Sequence, residues 1–189
     1  MTGKTHQALG LTIGVVSYLN YAPQSYGPAT FFAVLIACYF SSLLPDLDRP
    51  TAKLYSDIPL GHEVGHVIDP LFKHRNISHS FLGIAIFAFL TYFLFMGFPS
   101  YWGVDRYILL GVSIAAYSSH LLADMFTAEG IPLLFPLKRS FGIPPKPFEG
   151  IRIVTGQWFE NLVLFPIINL ILVITLITKW DLIKIIIFK

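Results

Sequence analysis

Eight ionisable residues, seven of them able to ligate a metal or move a proton and the eighth an arginine, fall in four short groups. His6 stands near the start. Asp46 and Asp48 lie in Leu43-Leu44-Pro45-Asp46-Leu47-Asp48-Arg49-Pro50. His74, Arg75 and His79 lie in His74-Arg75-Asn76-Ile77-Ser78-His79-Ser80, and His120 and Asp124 in His120-Leu121-Leu122-Ala123-Asp124. His120 and Asp124 are four apart, so on a helix they share one face. A mixed imidazole and carboxylate set suits zinc, iron or manganese. It does not suit a thiolate site, because the single cysteine, Cys38, stands alone in an apolar run. Buried carboxylates stay ionised where a cation offsets the loss of water. Each group also has an ordinary reading. A lone helical His is more often a hydrogen-bonded core residue than a ligand. Pro45-Asp46 and Arg49-Pro50 fit an Asx turn that ends a helix. Lys73, His74 and Arg75 fit interface anchors. Their convergence at one point is what favours a site.

His62-Glu63-Val64-Gly65-His66 is a formal H-E-x-x-H match, in which two His would face one zinc and Glu63 would act as general base of a metalloprotease. The surroundings argue the other way. Pro59 and Gly61 precede the motif and Pro70 follows it, leaving barely two helical turns. Gly65 weakens a helix by about 1 kcal/mol relative to Ala. A short interfacial helix with solvated His and Glu, or an accessory role beside the main site, fits the same residues.

The elements that must carry these groups are apolar. Hydrophobic residues make up 54% of the 189 residues and charged ones only 13%, against roughly 45–50% and about 25% in an average soluble domain. Mean hydropathy is +0.66. This excludes a disordered chain and a disulfide scaffold. With a net charge of +2 and no basic cluster interleaved with aromatics, no nucleic-acid surface is evident. A bilayer core takes about 20 apolar residues in helix. Five runs approach this, and the spacing predicts spans over 7–22, 29–45, 80–98, 107–125 and 159–178. Pro166 is expected to kink the last. Residues 7–22 would also fit the apolar part of a signal peptide, but no small-x-small cleavage site follows, so the first span is expected to be retained. Residues 179–189 mix lysines with Ile185-Ile186-Ile187-Phe188 and are expected to lie along the interface.

The fold class expected is therefore all-α: one polytopic helical membrane domain over 1–189, with polar loops over 46–79 and 126–157 and a metal site at one membrane face. Five spans place the N-terminus, both loops and all eight residues on that face. Nine of the thirteen lysines and arginines fall there too and four on the other, which makes the site face cytoplasmic. The lipid-facing surface offers no distinctive small-xxx-small stripe strong enough to argue for a dimer, and the oligomeric state is not legible.

At these residues the chain resembles the YdjM-like family, described as inner-membrane-associated metal-dependent hydrolases. The pattern is an early His, here His6; L-L-P-D-x-D-x-P, here Leu43 to Pro50; H-R-x-x-[ST]-H-S, here His74 to Ser80; and H-L-x-x-D-x-x-T-x-x-G with a later proline, here His120 to Gly130 and Pro136. More remotely it is similar to the zinc-dependent phospholipase C and single-strand nuclease superfamily. The resemblance implies His6, Asp46, His79 (or His74), His120 and Asp124 as ligands of a divalent metal, zinc first, with manganese or iron as alternatives. No His follows Asp124, which points to one or two ions rather than three.

The expected activity is hydrolysis of a phosphoester such as a phospholipid or lipid-linked phosphate, with the bilayer and a small-molecule or lipid substrate as partners. Asp48, His74 and Arg75 are the candidates for work beside the metal, Arg75 through its planar fork on a phosphate. Lys138 and Arg139 would attract an anionic headgroup or simply set topology. Ser80 and Thr127 would orient ligands from behind. Besides the metalloprotease, a non-enzymatic protein that moves ions or protons, or assists assembly, remains open. That reading expects polar residues in both membrane halves, and the far half is nearly all apolar.

Overall fold

The computed structural model describes residues 1–21, 27–48, 75–137 and 139–188. Regular structure among the described residues is helical. No strand forms there; two isolated bridges, Thr127 with Ile153 and Ile131 with Phe141, pin the segment that follows Met125. In chain order the helices are α1 (Gly3–Tyr21), α2 (Pro28–Leu43), the short α3 (Arg75–Ser78), α4 (Phe81–Met96), α5 (Arg106–Met125), α6 (Phe165–Thr178) and α7 (Trp180–Phe188). A 3-10 turn, Leu44–Asp48, extends α2, and a π-helical turn, Glu160–Leu164, leads into α6.

Uncharged sequence rich in Leu, Ile, Phe and Ala makes these helices, and local chemistry sets their starts. Pro28 opens α2, where its missing N–H is no loss. Ser80 caps α4, its hydroxyl accepting from Gly83 N–H at 3.2 Å. Asp105 caps α5, its carboxylate accepting from Tyr107 and Ile108 N–H at 3.0 Å each. Among the described residues, three stretches are long and apolar enough to cross a membrane: Pro28–Leu47, Arg106–Met125 and Glu160–Thr178. Phe81–Met96 is apolar but shorter. Pro166, the site of the expected kink, comes just after the π-helical turn Glu160–Leu164, at which the continuous helix departs from α geometry.

α1, α2 and α5 pack against one another as the centre of the bundle; α4 packs on α5 and α6 on α1. Two glycines let α1 and α2 approach closely. A Cβ at Gly10 would collide with Ser42, and one at Gly14 with Cys38 Sγ. At one end of the bundle Val15, Tyr18, Leu19, Phe31, Val34, Leu109 and Val112 form an apolar cluster. α7 closes that end, burying Ile183 and Ile186 in the cluster while its other face stays exposed. At the other end, Ile131 tucks under Tyr117 and Leu121, where the segment after α5 begins its excursion. That segment turns at Gly130 (φ +63°), where a side chain would meet Phe141 O.

Candidate metal centre

Four elements bring five of the expected residues to the second end of the bundle. His6 comes from the first turns of α1, Asp46 from the 3-10 turn after α2, His79 from the turn between α3 and α4, and His120 and Asp124 from the last turns of α5. Their donor atoms form two overlapping groups, His6/His120/Asp124 and Asp46/His79/His120, each with its atoms within 4.8 Å of one another. His6 and His120 have no exposed surface, and His79 keeps only 4%.

The distances are close to those of ligands around a common ion. His6 Nε2 stands 3.1 Å from Asp124 Oδ1. His79 Nε2 is 3.6 Å from Asp46 Oδ1 and 3.7 Å from Asp124 Oδ2. His120 Nε2 is 3.7 Å from Asp46 Oδ2 and 3.6 Å from Asp124 Oδ2. Ligands at about 2.0–2.1 Å in a tetrahedral zinc site lie ~3.3 Å apart. His6 Nδ1, His79 Nε2 and His120 Nε2 are buried and make no well-directed hydrogen bond among the described residues. Asp124 also receives the amine of Met1. The group is thus one that can hold a metal ion.

What lies behind the imidazoles orients them. His120 Nδ1 lies 2.7 Å from Ser42 O, so Nδ1 carries the proton and donates it there, which turns Nε2 toward the carboxylates. His79 Nδ1 is 3.0 Å from Ser78 Oγ, a hydroxyl that can accept from it or donate to it, and Nε2 again faces the carboxylates. A metal-ligating His almost always has such a partner on its other nitrogen. The His6 and His120 rings stack at 3.5 Å between centroids, so one ring fixes the plane of the other. Burial lowers the pKa of His79, but the facing carboxylates of Asp124 and Asp46 outweigh it and push the group up to about 9.

The remaining expected residues sit differently. Thr127 and Ser80 act on backbone rather than on ligand side chains. Thr127 Oγ1 donates to Asp124 O at 2.7 Å, closing the end of α5. Ser80 Oγ donates to Ile77 O at 2.6 Å, holding the turn that carries His79. His74, Lys138 and the His62-Glu63-His66 motif lie outside the described residues, as do the side chains of Asp48 and Arg75. Arg139 is exposed, its guanidinium over the Phe141 ring at 5.8 Å. One buried ionisable residue escaped the sequence reading. Glu160 has no exposed surface and is bonded to the start of α1. The signal was present: it is the charge that immediately precedes an uncharged run, where an ionisable group is a functional candidate by default.

The family described as YdjM inner membrane protein matches residues 1–183. Inner membrane protein YdjM of Escherichia coli (strain K12) is 29% identical over 147 residues, covering 76% of this chain and 70% of that protein. Uncharacterized protein YvsG of Bacillus subtilis (strain 168) is 31% identical over 166 residues, covering 87% of this chain and 88% of that protein. No solved structure matches. By the extent of these matches, the chain belongs to the YdjM inner membrane protein family.

Proposed function

We propose that the protein is a multi-pass membrane hydrolase that uses one or two divalent ions, zinc first, to cleave a phosphoester at the cytoplasmic face. The observation that carries the reading is the buried cluster itself. Three imidazoles and two carboxylates converge with spacings of 3.1–3.7 Å, and two of the imidazoles are turned inward by partners on Nδ1. Purely structural His and Asp pairs would close into direct hydrogen bonds; the four contacts of His79 and His120 with Asp46 and Asp124, at 3.6–3.7 Å, leave room between them. Two groups sharing His120 admit one ion or two. A bound ion of this kind lowers the pKa of a water to near neutrality and so supplies the nucleophile.

The protein's own residues do the rest. Asp46 and Asp124 supply negative charge that holds the cation. His6, His79 and His120 complete its shell, and the Ser42 carbonyl keeps the His120 tautomer fixed. Burial at the ends of apolar helices keeps bulk water out while leaving the site level with lipid headgroups, which favours a phospholipid or lipid-linked phosphate as substrate. The resemblance to the phospholipase C and nuclease superfamily supports the same bond type.

The test is metal content and turnover of detergent-purified protein, on wild type, His120→Ala and Asp124→Asn, with phospholipid and small phosphodiester substrates. Near-stoichiometric metal in wild type, lost together with turnover in both variants, is the expected result. Full turnover in either metal-free variant would overturn the reading.

A further inference from the structure

We propose that Glu160 is a positioning residue of the metal centre: it fixes the first turn of α1 and thereby the imidazole of His6. The inference rests on the metal-site reading above and adds a residue that never touches the ion.

The geometry is a fully bonded carboxylate. Glu160 Oε1 accepts from Thr2 N–H at 2.7 Å, Thr2 Oγ1 at 2.6 Å and Thr5 Oγ1 at 2.6 Å. Oε2 accepts from Gly156 N–H at 2.7 Å. A buried carboxylate without partners is very costly, so this one stays ionised only while these four donors remain in place. Three of the four belong to the start of α1, where unpaired N–H groups and the positive end of the helix dipole favour an anion. The link to the site runs through one peptide unit. Thr2, held by Glu160 through its N–H and hydroxyl, accepts at its carbonyl from His6 N–H at 3.1 Å and from Thr5 N–H at 3.0 Å. His6 therefore leaves a backbone turn anchored from a distant element.

Local structure at Glu160 fits this task. The chain turns at Gly156 (φ +76°), a conformation suited to glycine, and this aims the Gly156 N–H at Oε2. Asn161 Nδ2 donates to Gly156 O at 2.7 Å and closes the turn. Glu160 then begins a π-helical turn before α6, a distortion often found at functional sites. A plain α-helical entry with an apolar residue would join α1 and α6 equally well, so a carboxylate here answers to the α1 terminus rather than to packing.

The experiment uses the full chain in detergent and two readouts. Hydrogen exchange reports the tether without metal, and cobalt(II) titration followed by absorbance reports the site. Glu160→Gln is expected to speed exchange at Thr5, His6 and Gly156 while leaving α5 protected. It is also expected to weaken cobalt binding by ~10–100-fold, the range for residues that orient ligands from behind. In a His6→Ala background, Glu160→Gln should weaken cobalt binding no further, because the two act in series. Thr5→Val, which removes one bond and keeps the carboxylate, should show the same loss in milder form; it serves if Glu160→Gln does not fold. Faster exchange with unchanged cobalt affinity overturns this inference and leaves the metal site standing. An equal loss in both backgrounds overturns it too. Absence of cobalt binding by wild type overturns the metal site and this inference together.

Discussion

His79 enters the cluster from the turn before α4, and two carboxylates, Asp46 and Asp124, face its Nε2. They hold its proton up to a pKa of about 9, against about 6.5 for a free imidazole. A metal ion needs that nitrogen bare, so ion and proton compete. With the folded pKa raised, the proton wins more ground as pH falls. Cobalt affinity should therefore climb by about tenfold per pH unit between pH 6.5 and 8, one proton leaving per ion bound. Titrations at three pH values check this, and a flat profile would remove His79 from the ligand set. Residue types made this cluster legible before the fold was known. His and Asp at five positions of a low-charge chain have few structural uses at a membrane face, and helical spacing alone paired His120 with Asp124. The partners behind them were hidden because they are backbone carbonyls and small hydroxyls. Ser42 O on His120 has no side-chain signature, and Thr2 and Thr5 look like any helix start. Thr127 and Ser80 were found by position, but their bonds go to backbone.

Helices were legible from uncharged runs, whose length and composition leave few alternatives. Their close approaches were less so. Gly10-Leu11-Thr12-Ile13-Gly14 reads as a small-xxx-small segment, which in a membrane can serve a dimer. In the fold it lies inside the bundle, seating α1 on Ser42 and Cys38 of α2. Gly14→Ala should destabilise the protein by about 1–3 kcal/mol, the usual penalty for overpacking, yet leave metal affinity unchanged. Gly10→Ala should destabilise similarly and also weaken metal binding, because Ser42, whose carbonyl orients His120, must move. Gly111, with open space around its Cβ direction, is the control and should tolerate Ala without loss. Thermal melts paired with cobalt titrations separate these outcomes. Equal metal affinity in all three variants would mean the α1–α2 contact does not support the site. The π-helical turn at Glu160–Leu164 had no sequence signature, since a π turn differs from an α turn only in hydrogen-bond register.

Across the whole molecule, ionisable chemistry and apolar packing are sorted to opposite ends. His6, Asp46, His79, His120 and Asp124 gather at one end, and the cluster around Val15, Phe31, Leu109 and Ile183 fills the other. Along the sides, Phe81, Phe89, Leu90 and Phe93 of α4 are exposed, as is more than half of α6, none of which is buried. That surface is too extensive and apolar for water and suits lipid tails. The proposed orientation rests on charge. Lysines and arginines outnumber those of the opposite face nine to four on the site side if α1, α2, α4, α5 and α6 each cross. Residue 149, in the segment after α5, would then face the cytoplasm, and residue 184, in α7, the outside. The one native cysteine, Cys38, has no exposed surface and can be replaced by Ala to give a silent background. In that background Lys184→Cys should react with a membrane-impermeant maleimide on intact spheroplasts. Glu149→Cys should react only after lysis. Reaction of both from outside would mean an even number of crossings between them. Reaction of Glu149→Cys alone would invert the protein and place the site on the outer face, where a different pool of phosphoesters meets the metal.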